Sequence, residues 1–288
     1  MRKILRRLKA SLPPSVRRAL RSVYHNPTSR RIRYAPLDLI HWLRRSDDLT
    51  PPPSLRAVGD GDFQEIGEEF KRYFVTLGRL QPNDAVLDIG CGVGRMAIPL
   101  TTYLAADAAY WGFDIVEKGI DWCRKHITPR FTNFRFCWFD LYNKTYNPNG
   151  SLLAHEFRFP FGDAQFDFLF LTSVFTHMLP PGLENYLSEV SRVLRPGATC
   201  LATFFLLNGE STGLIREGSS SLDFRFPLGE CWTTNPHSPE DALAYSEASV
   251  RALFAKYSLA ITDPIYWGSW CGRTSFLSYQ DIVIAARN

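Results

Sequence analysis

No Cys-x-x-Cys pair occurs in this 288-residue chain, and its six cysteines stand scattered at 91, 123, 137, 200, 231 and 271. That arrangement indicates neither a zinc site nor a disulfide framework, and it fits a reducing, cytoplasmic compartment. Long apolar runs are missing as well. No stretch approaches the roughly eighteen residues of a membrane span, and no signal-type apolar segment stands near Met1, so the pattern predicts neither a transmembrane nor a secreted chain. Internal repeats and low-complexity tracts are absent, and the length predicts one domain with a terminal extension rather than two equal domains.

Acidic residues are nearly absent from the first 45 positions, where thirteen Lys or Arg face Asp38 alone. The rest of the chain carries 20 basic and 28 acidic residues, so the basicity sits in one arm. Met1, Ile4, Leu5, Leu8 and Leu12 recur at helical spacing until Pro13-Pro14. A second short helix is predicted over 16–23, with Val16, Leu20 and Val23 on one side and Arg17, Arg18 and Arg21 on the other. Such an arm reads in three ways: solvated, resting on an anionic membrane surface, or removed as an organelle transit peptide. With Pro51-Pro52-Pro53 as a stiff linker, residues 1–58 form the extension and 59–288 the domain.

Within the domain the apolar pattern alternates between the two periods. Asp62 and Glu65 begin a helix whose buried stripe is Phe63, Ile66, Phe70, Phe74 and Leu77. Strands ending at Asp88, Asp114 and Asp140 follow, separated by helices from about Arg95 and over about 116–126, and residues 166–173 form a fourth strand. Another helix carries Leu183, Tyr186, Leu187, Val190 and Leu194, and a fifth strand runs from Ala198 to Phe205. Residues 208–245 then interrupt the alternation as a cap or loop insertion. A final strand is predicted over 277–286, with an antiparallel neighbour inside 257–266. Strands alternating with helices define an α/β chain with a mostly parallel sheet covered on both faces.

The most informative segment is Ala-Val-Leu-Asp-Ile-Gly-Cys-Gly-Val-Gly-Arg at 85–95, a buried strand entering three alternating glycines. Asp114 ends the next strand twenty residues after Gly94, where a βαβ nucleotide fold places its ribose-binding carboxylate. The Gly-x-Gly-x-Gly spacing departs from the Gly-x-Gly-x-x-Gly of dinucleotide enzymes. It resembles the first motif of the class I S-adenosylmethionine-dependent methyltransferases, over residues 65–207 well and more loosely to the C-terminus. Phe166 to Ser173 resembles that family's fourth strand, and Val193-Leu194-Arg195-Pro196-Gly197 the helix end and turn before its fifth.

The resemblance implies a Rossmann-like, mostly parallel seven-stranded sheet with an antiparallel C-terminal strand, and S-adenosyl-L-methionine as cofactor. It places Asp88, Gly90, Cys91, Gly92, Gly94, Asp114, Asp140 and Ser173 around that cofactor. Asp88 would help hold its ammonium, Asp114 its ribose hydroxyls and Asp140 its adenine amine, while Arg95 faces either the cofactor carboxylate or solvent. An acidic lining suits a sulfonium ion carrying an ammonium, whereas a pyrophosphate prefers a basic or neutral cradle. No metal is expected. A hydroxyl acceptor benefits from a base, and His177 is the best-placed candidate, ahead of His237 and Glu210; the competing reading of His177 is a packing residue.

The methyl acceptor is less legible. Thr176-His177-Met178-Leu179-Pro180-Pro181 does not match the Asn-Pro-Pro-Tyr or Asp-Pro-Pro-Tyr of enzymes that modify exocyclic amines and amides. Trp232, Tyr266, Trp267 and Trp270 suit either stacking on a sugar or aromatic acceptor or ordinary core packing. The favoured expectation is O-methylation of a small molecule, saccharide or glycolipid, with no specific nucleic acid. An RNA methyltransferase, a nicotinamide-dependent oxidoreductase and a non-catalytic binding module stay open.

Overall fold

The computed structural model describes residues 34–39, 49–56 and 61–288, and the chain divides into two compact units, 1–61 and 62–288. In the first unit residues 34–39 are helical, and Asp38 Oδ1 accepts from the backbone N of Ser54 at 3.0 Å. The predicted helices over 1–12 and 16–23 lie outside the described residues.

The second unit opens with α1 (Phe63–Thr76), where Asp62 caps the helix by accepting from the backbone N–H groups of Gln64 and Glu65. Phe63, Phe70, Tyr73 and Phe74 are buried on its inner stripe. Then come β1 (Val86–Ile89), the short α2 (Ala97–Leu100), β2 (Tyr110–Asp114), α3 (Glu117–His126), β3 (Phe134–Trp138) and β4 (Phe166–Leu171). A 3-10 turn over Phe175–His177 leads into α4 (Pro180–Val193) and β5 (Leu194–Phe204). The chain continues through β6 (Leu206–Leu207), α5 (Gly209–Arg216), β7 (Phe226–Leu228), β8 (Cys231–Thr233) and a second 3-10 turn over Pro239–Asp241. It ends with β9 (Leu243–Ser246), α6 (Glu247–Lys256), β10 (Leu259–Ile261) and β11 (Asp281–Arg287).

Seven strands form the main sheet in the order β10-β11-β5-β4-β1-β2-β3, with β1 to β5 paired in parallel and β11 antiparallel to both neighbours. All four residues of β1 are buried, as a strand covered on both faces requires. Phe74 of α1 stacks on Phe170 of β4 at 4.2 Å. On the opposite face, Phe113, Phe159, Leu183, Tyr186 and Leu187 share one core with Leu87 and Ile89.

Four details depart from the sequence expectations. Strand β3 stops at Trp138, two residues before Asp140: Phe139 N makes the last ladder bond to the carbonyl of Asp114 at 3.1 Å, and Leu141 N turns back to the carbonyl of Phe139 at 2.9 Å. The expected turn at 195–197 lies within β5 as an irregularity against β4, with Gly197 at φ +79°. Strand β11 begins at Asp281 instead of 277, since Leu277 N is drawn to the carbonyl of Trp267. Residues 208–245 are not plain loop: their strands β7 and β8 join β6 and β9 in a second sheet of order β6-β9-β8-β7, flanked by α5.

Candidate functional site

The strand order reverses between β1 and β4, so their carboxyl ends part to leave the crevice where open α/β sheets bind ligands. Ile89 pairs with both Phe113 and Leu171, which brings Gly90, Asp114 and the residues after β4 to one edge. The glycine loop turns sharply there, with Gly90, Gly92 and Gly94 at φ +77°, +56° and +77°. The reasons for glycine differ along the loop. A Cβ on Gly90 would strike Val174 Cγ2 at 2.4 Å, whereas at Gly92 it would meet nothing within 4 Å. Gly92 therefore serves its backbone angle and the open space above it.

Asp114 fixes that loop. Its Oδ2 accepts from Gly92 N and its Oδ1 from Val116 N, both at 2.7 Å, and the residue is 9% exposed. Burial raises the carboxyl pKa, opposed by bonds from the backbone of Val116, Gly92 and Ile115. Each oxygen retains acceptor capacity for a ligand hydroxyl.

Asp88, expected to help hold the cofactor ammonium, is enclosed next to the glycine loop. The side chain is 0% exposed, Tyr110 OH donates to its Oδ2 at 2.5 Å, and Oδ1 has no partner. Burial pushes its pKa up to about 8, so the group is protonated at neutral pH. The Cys91 side chain is likewise turned inward, close to Gly112 of β2, and burial raises its thiol well above the ordinary range. Arg95 lies over the Phe63 ring at 5.4 Å.

Asp140 reaches the same edge beyond β3, half-buried. Its carboxylate accepts from Asn147 Nδ2 (3.1 Å), Ser151 N (3.2 Å) and Ser151 Oγ (2.8 Å), which ties down the 140–151 loop and holds the pKa below the usual range, the side chain of Ser151 contributing most. Ser173, after β4, has φ +61°. Its N–H donates to Thr203 Oγ1 (2.7 Å) and its Oγ to Gln280 Oε1 (3.0 Å), which also accepts from Thr203 Oγ1 (2.6 Å). Gln280 and Thr203 thus hold Ser173 in a left-handed conformation. A threonine inside Cys200-Leu201-Ala202-Thr203-Phe204 is a visible anomaly in an apolar strand; Gln280 carries no sequence signal.

His177 closes the 3-10 turn after β4. Its Nδ1 lies 2.8 Å from the carbonyl of Glu240, and its Nε2 is 3.4 Å from Tyr146 OH. Burial lowers its pKa, against bonding to Glu240 and the charge of Asp241, so the ring is neutral at pH 7. The two alternatives have other contacts. Glu210 pairs with Arg273 (2.8 Å), and His237 offers its carbonyl to Lys144 Nζ (2.7 Å). Of the aromatic candidates, Trp270 is fully buried with Nε1 donating to Asp281 Oδ2 at 2.7 Å, which makes it core. Trp267 lies beneath the Arg273 guanidinium at 4.7 Å. Trp232 lines a cavity of about 560 Å³ with Leu207, Ile215 and Phe224, apart from the glycine loop. Among the described residues no group of His, Cys, Asp and Glu is arranged to hold a metal.

Residues 87–202 match a family model described as a methyltransferase domain. The matched segment, about two-fifths of the chain, is of the methyltransferase-domain kind, for which S-adenosylmethionine is the cofactor. The chain is similar to the 27-O-demethylrifamycin SV methyltransferase of Amycolatopsis mediterranei, at 30% identity over 59% of this chain and 61% of that protein. It is also similar to the fatty-acid O-methyltransferase of Mycolicibacterium smegmatis, at 31% identity over 47% of this chain and 44% of that one. The chain thus spans about three-fifths of the first relative's length and under half of the second's. Among solved structures, the PH0226 protein of Pyrococcus horikoshii OT3 shares the fold, with TM-score 0.55 and 18% identity over 86% of this chain and 99% of that chain.

The site fits that cofactor on two counts. Asp114 is a buried carboxylate site with spare acceptor capacity beside a loop whose central glycine faces open space. The crevice carries carboxyl groups where a pyrophosphate would require donors.

Proposed function

We propose that this chain transfers a methyl group from S-adenosylmethionine to a hydroxyl of a small molecule, with saccharides and glycolipids among the candidate acceptors. The observation that carries this reading is Asp114 clamped to Gly92 at the β1–β4 switch point. The cofactor supplies a methyl group already activated on a sulfonium, which leaves the protein to align the acceptor and exclude water. Asp114 would accept from the ribose hydroxyls, the Gly90–Gly94 loop would admit the methionine end, and Asp140 and Ser173 would border the adenine and methyl ends. Asp88 and Cys91 would act through the loop they underlie. His177 would serve as base, with the second sheet as a cap on the acceptor side. The similarity to two proteins named as O-methylating enzymes supports an oxygen acceptor. The basic arm would rest on an anionic membrane surface; among the described residues no helix is long and apolar enough to cross one.

Calorimetric titration with S-adenosylmethionine, S-adenosylhomocysteine and a reduced nicotinamide tests the reading. Both adenosyl compounds should bind and the nicotinamide should not. Asp114→Ala should weaken binding about ten- to hundred-fold, since charge-assisted hydrogen bonds contribute about 1.5–3 kcal/mol. Binding of the nicotinamide alone would replace this function with hydride transfer.

A further inference from the structure

Both ring nitrogens of His177 are engaged. A backbone carbonyl only accepts, so the 2.8 Å contact to Glu240 O fixes the proton on Nδ1 and leaves the Nε2 lone pair facing Tyr146 OH. The two rings meet edge to face at 5.3 Å. The surroundings hold this arrangement from both sides. Asn143 Nδ2 donates to the carbonyl of His177 (3.3 Å) and to Glu240 Oε1 (3.0 Å), and Lys144 N donates to Glu240 Oε2 (3.0 Å). Asn143 Oδ1 in turn accepts from Tyr146 N at 3.0 Å. One asparagine therefore sets the positions of tyrosine, histidine and the Glu240 turn together. Tyr146 itself belongs to the loop after β3, on the ligand edge of the sheet, and among the described residues its hydroxyl meets His177 alone.

We propose that Tyr146 is the group that meets the acceptor hydroxyl, and that His177 acts only through it. This rests on the methyltransferase reading above. As the acceptor oxygen bonds the methyl carbon, the sulfur–carbon pair stays on sulfur, which becomes neutral. The acceptor proton passes to the Tyr146 oxygen while the Tyr146 proton passes to His177 Nε2. The products are a methyl ether, S-adenosylhomocysteine and an imidazolium. At 3.4 Å the hydrogen bond is long, as catalytic contacts often are before substrate closes a site.

The groups around the pair bear on that end state from several sides. Burial lowers the His177 pKa overall, and the Glu240 carbonyl and the charge of Asp241 offset part of that; Asp114 and Asp241 both act on Tyr146, while Glu240 is tied up by Asn143 and Lys144. Burial holds the tyrosine near pKa 12, so it enters as a neutral hydroxyl able to accept one proton and release another. Such a relay is useful only to an acceptor still protonated at neutral pH. It selects alcohols and phenols over carboxylic acids, which are already ionised and require no base.

The test uses the full chain labelled with 15N-histidine, as wild type and Tyr146→Phe, which removes one oxygen and leaves the ring. NMR should find His177 protonated on Nδ1 in both, and its pKa about half a unit or more higher in the variant, which has lost the hydroxyl donating to neutral Nε2. A proton on Nε2, or an unchanged pKa, overturns the pair. Both chains are then given methyl-labelled S-adenosylmethionine with a pool of 2-naphthol, 1-dodecanol and dodecanoic acid. Label should enter naphthol or dodecanol, about thirty-fold or more slowly in Tyr146→Phe, with affinity for S-adenosylhomocysteine within about twofold. Label in dodecanoic acid alone or in no compound, or a rate within about threefold of wild type, overturns the relay. Failure of S-adenosylhomocysteine to bind defeats the methyltransferase reading instead, and the histidine titration without ligand still decides the pair.

Discussion

A carboxyl group with no exposed surface and one unpartnered oxygen makes Asp88 a titration site with a measurable signature. Its pKa is raised to about 8, mainly by desolvation, with Tyr110 donating to the opposite effect. In the folded chain the proton is held up to that pH, whereas the unfolded chain releases it near pH 4. Asp88 therefore contributes fully below about pH 4, and stability falls by about 1.4 kcal/mol per pH unit until about pH 8. Asp88→Asn keeps an acceptor for Tyr110 OH and removes the ionisation. Urea unfolding at pH 5, 6.5 and 8 should show the variant gaining on wild type as pH rises; a constant difference would mean that Asp88 ionises normally in the fold. Little of this was legible in the sequence. Strand periodicity assigns Asp88 to the face opposite Leu87 and Ile89, but only the tertiary structure shows that this face is closed by Tyr110. Gly92 and Asp114 were legible because a positive-φ turn and a carboxylate at a strand end each demand a particular residue type. Tyr146 and Gln280 were not, since their partners lie 31 and 107 positions away.

At the level of elements, the segment between β10 and β11 shows how a loop on the ligand edge is held. Asp281 Oδ1 accepts from Gly268 N (2.7 Å) and Arg273 Nη1 (3.0 Å), and its Oδ2 from Leu206 N (2.8 Å) and Trp270 Nε1 (2.7 Å). The side chains of Arg273 and Asp281 are 2% and 0% exposed, so solvent cannot replace either partner. Asp281→Ala leaves a buried guanidinium with less compensation and strands three other donors, a loss of about 3–5 kcal/mol. Urea denaturation measures it, and a loss under about 1 kcal/mol would show that the network relaxes or that water fills the gap. The long elements were readable from sequence because amphipathic stripes such as Phe63, Phe70 and Phe74 repeat often enough to define a period. The second sheet was not, because β6 to β9 are two to four residues long and no period can establish itself over that length.

Across the whole molecule, thirteen basic residues against one acidic within positions 1–45 precede a remainder with 20 basic and 28 acidic residues. On the proposed reading, that separation of charge would direct an anionic membrane surface to the arm and repel it from the rest of the chain, over a range set by the Debye length of about 8 Å at physiological salt. Each Lys or Arg near such a surface contributes about 1 kcal/mol, so neutralising eight of the arm's arginines to glutamine should nearly abolish sedimentation of the full chain with phosphatidylserine vesicles. Wild-type binding should weaken steeply with added salt, and the affinity for S-adenosylhomocysteine should be the same in both chains, because none of the proposed cofactor residues lies in the arm. Sedimentation that survives the substitutions would place the attraction elsewhere. Binding to uncharged phosphatidylcholine with equal strength would assign it to the apolar stripe of Ile4, Leu5, Leu8 and Leu12, since only apolar contact is indifferent to the sign of the surface.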